Sequence, residues 1–143
     1  MRKFLAGILI FGVTAVMLVQ AQGGAATRLE GTWMLVGDGG EKLPDEYFQQ
    51  LQAKLIVKYS DYEQNVQGKK LEAGKLRVDV TKNPATADFD ITEGPEKGKK
   101  QLAIFKFEGE KLIFAIAEAG SAARPKSFQP SKEVQIPIFK RIK

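Results

Sequence analysis

The side chains that carry most enzyme chemistry are scarce in this sequence, and two kinds are missing. Its 143 residues include neither a cysteine nor a histidine. There is therefore no thiolate nucleophile, no imidazole base, and no zinc or copper site built on those ligands. Ser121, Ser127 and Ser131 have no imidazole to activate them, which excludes a conventional serine triad. Carboxylates and guanidinium groups are left. Glu30, Glu118 and Arg124 flank apolar segments. Brought together at the mouth of a closed fold, they would shift one another's ionisation and make an acid–base pair; apart, they are an ordinary ion pair or a solvated edge, and the pattern favours the second. Asp38, Asp45, Glu46, Asp88 and Asp90 offer oxygen ligands to a hard cation, but their spacing matches no calcium loop. The glycine-containing turns lack the strand-to-helix setting of a phosphate cradle. The sequence predicts a protein that is not an enzyme and that uses no metal or cofactor.

Alternation of apolar and polar residues accounts for most of the chain. Leu29, Gly31, Trp33 and Leu35 share one face of a strand that ends at Gly37-Asp38-Gly39-Gly40. Leu43 to Leu51 reads as a short helix, with Pro44 at its first turn, acids after it, and Tyr47, Phe48 and Leu51 as its apolar side. It is either a connector or a lid over one open end of a barrel. Further strands are marked by Leu55, Val57 and Tyr59, by Asp61 to Val66, by Leu76, Val78 and Val80 up to Asn83-Pro84, and by Phe89 and Ile91. Gln101 to Glu108 and Lys111 to Glu118 flank Gly109-Glu110 as a hairpin, apolar on both faces and so expected to be covered on both. Val134, Ile136, Ile138 and Ile142 mark the last strand, in which Pro137 calls for an edge position or a bulge. About eight short strands with one helical insert make an antiparallel sandwich or barrel.

The start of the chain reads as a secretory signal. Arg2 and Lys3 precede an apolar run of 16 residues, Phe4 to Val19, and Val19-Gln20-Ala21 forms a small-residue cleavage site. The run falls short of the roughly 18 to 20 residues that cross a bilayer, so cleavage after Ala21 is expected over retention as an anchor. Without a cysteine, no lipid can be attached there. The predicted organisation is a signal peptide at 1–21, a Gly- and Ala-rich tether at 22–28, and one domain at 29–143, exported to the periplasm or beyond with no membrane span after cleavage. The processed chain carries 20 basic and 17 acidic residues, a net charge of +3 that is too slight and too dispersed to mark a nucleic-acid partner. Export permits disulfides, but with no cysteine the hydrophobic core must hold the fold.

Five segments occur in a familiar order: Leu29-Glu30-Gly31-Thr32-Trp33, Leu43-Pro44, Thr92 to Lys99, Ala103 to Phe107 before Gly109, and Arg124-Pro125-Lys126-Ser127-Phe128. From Leu29 to Arg141 the chain resembles a family of exported bacterial lipocalin-like domains of unknown function. Many members have a cysteine where Ala115 stands here, so any role of that thiol does not carry over. The resemblance implies export and an all-β fold, an antiparallel lipocalin-like barrel of about eight strands with one short helix after the first, and it brings no characterised activity. Lipocalins also carry a Gly-x-Trp on the first strand and a basic residue near the last that packs across the indole. Gly31, Trp33 and Arg141 are similar in kind and position, with Arg124 as a second candidate for the basic group. Such a cation–π contact, worth about 0.5 to 2 kcal/mol, would close one barrel end.

An eight-stranded barrel is just wide enough to be filled by side chains or to hold one small ligand. Two functions follow as expectations. In one, Trp33, Val78, Phe89, Phe105 and Phe114 line a space for a small apolar or amphipathic ligand. In the other, the interior is filled, and the protein is a structural or interaction module of the cell envelope whose apolar hairpin, Leu102 to Ala117, meets another envelope protein or a second copy of itself.

Overall fold

The computed structural model describes residues 28–142. The expected signal peptide and the tether up to residue 27 lie outside the described residues. From Gly31 onward the described residues form nine strands and one helix, in order β1 (Gly31–Asp38), α1 (Asp45–Leu51), β2 (Ala53–Lys58), β3 (Asp61–Val66), β4 (Lys69–Asp79), β5 (Ala85–Glu93), β6 (Lys100–Glu108), β7 (Lys111–Ala117), β8 (Val134–Gln135) and β9 (Pro137–Arg141). Each strand from β1 to β7 pairs antiparallel with the next, and β9 lies between β7 and β1. The ring β1 to β7 plus β9 is a closed antiparallel barrel of eight strands; of the sandwich and the barrel that the alternation allowed, it is the one the family resemblance implied.

Proline 137 shapes the last strand, though it lies within a closed barrel and not at an edge. β8 and β9 keep one register on β7, with Ala117 opposite Val134 and Leu112 opposite Phe139. The ladder lapses between them at Ile136 and Pro137, where the imino acid has no N–H to donate. On the other side of β9 the register slips at Val36, between the pairs Leu35–Phe139 and Gly37–Ile138. A gap on one side and a bulge on the other thus absorb the proline.

Alternation sorts side chains to the two faces of the wall. Leu29, Trp33, Leu55, Val57, Tyr62, Leu76, Ala87, Phe89, Ala103, Phe105, Leu112 and Phe114 point inward and form the main core. A second cluster, Ile104, Ile113, Ala115 and Ile136, sits outside the β6–β7–β9 wall under Phe128, Val134 and Ile138. This explains the two-faced apolar hairpin. Its outer face is covered by the chain's own crossing between β7 and β8, where Pro125 is buried and Phe128 partly so.

Strand β4 begins earlier than its clean alternation suggested. Gln67 and Gly68 take φ of 53° and 81°, the left-handed pair of a two-residue hairpin turn, so β4 starts at once at Lys69. Leu71 of β4 bulges against β3 and Thr92 of β5 bulges against β4, and because Glu72 and Gly74 fill the inward positions before Leu76 the apolar period shows only from Leu76 onward. At Gly74 a Cβ would lie 1.9 Å from the carbonyl oxygen of Asp90, so only glycine fits this close approach.

Helix α1 starts after Pro44, with Asp45 and Glu46 in its first turn where the helix dipole favours acids. Gln52 ends it at φ 49°, its N–H bonded to the Phe48 carbonyl. The helix does not cover an open end of the barrel. It packs beside β1, burying Phe48, and the groove between them is lined by Met34, Lys111 and Lys140, whose neighbours Trp33, Leu112 and Phe139 are the inward-facing ones.

Candidate functional site

The five residues expected to line a ligand space all face the interior, where they touch one another. Phe89 is edge-on to Tyr62 at 4.9 Å between ring centroids and to Phe114 at 5.8 Å. Phe114 meets Phe105 at 5.9 Å and Phe139 at 6.0 Å; Phe105 meets Phe107 at 6.1 Å, and Phe107 meets Trp33 at 6.2 Å. These separations are those of aromatic pairs in contact. Val78 is partly buried against the same cluster. Of five concavities of about 290 to 440 Å3 on the surface, none is lined by Phe89, Phe105 or Phe114.

At one end the barrel is sealed by Trp33 and Arg141, which are cross-strand partners. The guanidinium carbon of Arg141 lies 4.3 Å from the indole centroid, and its two terminal nitrogens donate to the carbonyls of Glu30 and Arg28. The indole Nε1 donates to the Leu29 carbonyl at 2.9 Å. Gly31 takes φ 133°, a conformation open to glycine alone, where the chain turns from this plug into β1. Arg28 joins the seal, its guanidinium 3.9 Å over the Phe107 ring. It was read from sequence as the last residue of the tether, yet it belongs to the barrel.

Arg124, the other candidate for this place, is far from the indole. It lies on the outer wall, donating to Asp88 Oδ1 at 2.7 Å and to the Ala103 carbonyl at 2.9 Å. The crossing from β7 to β8 runs outside the barrel and carries Arg124 with it across β5 and β6. Arg124 therefore pins that cover in place. The three groups considered for acid–base work are not brought together: Glu30 accepts from the Tyr59 N–H at the sealed end, Arg124 holds Asp88, and Glu118 opens the crossing at the opposite end. Three of the five acids considered for a cation have other partners: Asp38 accepts from the Gly40 N–H, Asp88 accepts from Arg124, and Asp90 faces Arg77 and Lys100, while Asp45 and Glu46 stand in the first turn of α1. Among the described residues no group of three acids is placed to hold a metal.

The far end of the interior has a polar pair that alternation did not single out. The Tyr62 hydroxyl donates to Glu72 Oε2 at 2.9 Å. Burial pushes the Glu72 carboxyl above the usual carboxylate range, against the opposing pull of the phenol's hydrogen bond. Burial, the bond to Glu72 and that carboxylate's charge push the phenol of Tyr62 up as well. Tyr62 was legible in principle, since Tyr62, Gln64 and Val66 alternate with Asp61, Glu63 and Asn65. Glu72 keeps the parity of Gly74, Leu76 and Val78, but a carboxylate beside a glycine carries no apolar signal for an inward face. The concavity at this end, about 440 Å3, is lined by Gln101, Ile116 and Gln135 with Lys99, Glu118 and Glu133 around them, so its rim is charged.

A third feature emerges only from register. On the outer wall Met34 pairs with Lys54 on one side and Lys140 on the other, and Lys140 pairs with Lys111. Seven ion pairs form among the described residues, and none uses these three lysines. Beside Lys111 and Lys140 runs the groove under α1, about 390 Å3 in volume. Comparison with family models, with curated proteins and with solved structures gives no match to this chain, so its function has to be read from the barrel itself.

Proposed function

We propose that this protein is an exported, lipocalin-like module of the cell envelope that works through its outer surface, its interior being occupied by its own side chains. The observation that carries this reading is the unbroken run of ring contacts from Tyr62 through Phe89, Phe114, Phe105 and Phe107 to Trp33. A ligand inside would have to displace aromatic groups already packed at contact distance, at a cost of the order of 3 to 5 kcal/mol for each ring moved out of the core. It would also have to enter past the charged rim at one end or the Trp33–Arg141 seal at the other. What supports export is the basic start, the short apolar run and the Val19-Gln20-Ala21 site. A binding role in place of catalysis is supported by the separation of Glu30, Glu118 and Arg124.

Native mass spectrometry of the protein purified from the envelope fraction tests the reading. The expected result is a chain beginning at Gln22 with no apolar molecule retained one-to-one after gentle desalting. An apolar molecule retained at that ratio, and lost together with a shift in Trp33 emission, would place a ligand among the core rings and overturn it.

A further inference from the structure

The three-lysine row on the outer wall is costly as it stands. Lys140 and Lys111 are directly opposed across β9 and β7, and Lys54 is one strand beyond Met34 in the same row. Like charges at opposed positions of an antiparallel pair are destabilising. On the wall Lys75, Lys100 and Lys106 each have a carboxylate within 3.5 Å, whereas this row, like Lys58 and Lys69 at the ends of their strands, forms no ion pair among the described residues. What sets the row apart is that Lys111 and Lys140 are directly opposed. The unneutralised charge borders an apolar channel. Between α1 and β1 the groove is floored by Met34 and Val36 and walled by Phe48, with Lys111 and Lys140 along its strand side and Asp45 as its one acidic residue. Its volume, about 390 Å3, falls in the range of roughly 300 to 1,000 Å3 found for small-ligand sites.

We infer that this groove binds a single-chain anionic amphiphile, an alkyl carboxylate or alkyl phosphate, with the chain against Met34, Val36 and Phe48 and the anionic head between Lys111 and Lys140. Both halves of the ligand are specified by what borders the groove. The apolar floor accounts for the chain, and the opposed ammonium groups account for the anion, whose arrival relieves their mutual repulsion. Asp45 works against the head group and sets its place at the lysine side. A concave channel roofed by a helix suits one chain better than the flat surface of a bilayer. The inference rests on the reading of the barrel as a filled body that works through its outside.

The test is calorimetric titration of the purified protein with sodium dodecanoate below its micelle concentration, with Trp33 emission followed in parallel. Dodecanoate is expected to saturate one site while Trp33 emission stays unchanged, because the indole is sealed in the core. Lys111→Gln/Lys140→Gln should weaken binding at least tenfold, Asp45→Asn should tighten it, and dodecyltrimethylammonium, with the charge reversed, should not saturate. The double variant removes an opposed like-charge pair, so its melting midpoint should hold or rise, and a loss of binding cannot be laid to unfolding. Equal binding of the two detergents, or dodecanoate binding that the double variant leaves intact, overturns the inference. If that residual binding also shifts Trp33 emission, the ligand is inside and the filled-barrel reading falls with it. Absence of any dodecanoate binding overturns the inference and leaves that reading standing. Binding only to phosphatidylglycerol vesicles would make the row a membrane contact, and so overturns the single-chain assignment.

Discussion

The two ends of the barrel interior each set a charged type of side chain against an aromatic, and they treat it in opposite ways. At the sealed end, Arg141 lies over the Trp33 ring and has two backbone carbonyls to donate to. The cation has the π-face on one side, the carbonyls of Glu30 and Arg28 on the other, and solvent at its exposed edge. At the far end, Glu72 has the Tyr62 hydroxyl as its hydrogen-bond donor, and burial drives its carboxyl toward the neutral form. A small barrel tolerates an ion at its end where the chain's path supplies fixed dipoles of the right sign, and pushes it toward neutrality where one side chain must serve alone.

Removing the ring should expose this difference most strongly. Trp33 is 2% exposed, and Trp33→Ala is expected to cost about 3 to 5 kcal/mol in urea unfolding followed by circular dichroism. A cost no greater than that of a surface substitution would mean that Arg28, Leu29 and Phe107 seal the end without it. Removing the cation should matter less. Arg141→Leu is expected to cost about 1 to 2 kcal/mol, the worth of an exposed cation–π contact with its charged hydrogen bonds. The comparison would blur if Arg124→Leu, which loses a partly exposed ion pair on the outer wall, proved equally damaging.

The choice between these two arginines marks the limit of what the sequence reveals. Alternation placed Trp33, Val78, Phe89, Phe105 and Phe114 on inward faces, because a period of two is a property of the strand alone. It could not say whether those side chains enclose a space or meet across it, since that depends on the curvature of the closed barrel. The pairing of Trp33 with Arg141 joins residues more than a hundred positions apart, and the outward route of the β7–β8 crossing, which takes Arg124 to Asp88, leaves no local mark. The lysine row is of the same kind: Lys54, Lys111 and Lys140 are unremarkable apart and become a feature only when the register sets them side by side. Glu72 escapes for another reason: it keeps the period of Gly74, Leu76 and Val78, but a glycine and a carboxylate carry no apolar signal, so the alternation shows only from Leu76 onward.

At the far end smaller effects are expected, and their signs carry the argument. Tyr62→Phe keeps the ring contact with Phe89 and removes the hydroxyl from Glu72, so it should cost about 0.5 to 1.5 kcal/mol, the net worth of one hydrogen bond. Glu72→Gln should act the other way at neutral pH. The folded carboxyl titrates above its unfolded value of 4.5, so the folded state binds its proton more tightly than the unfolded state does. The stability gained from that proton is fully present below the unfolded value and is lost as pH rises through the folded one. A neutral amide escapes the loss. Glu72→Gln should therefore raise the melting midpoint at pH 7 and flatten the decline in stability that the parent protein shows above pH 4.5. Asp79 provides an internal contrast, because hydrogen bonds from Thr81 hold its carboxyl below the usual range and so give a dependence of opposite sign, with stability lost as pH falls. A parent whose stability rises through this range and a Glu72→Gln variant that melts lower at pH 7 would show that the far end holds an ion as securely as the sealed one.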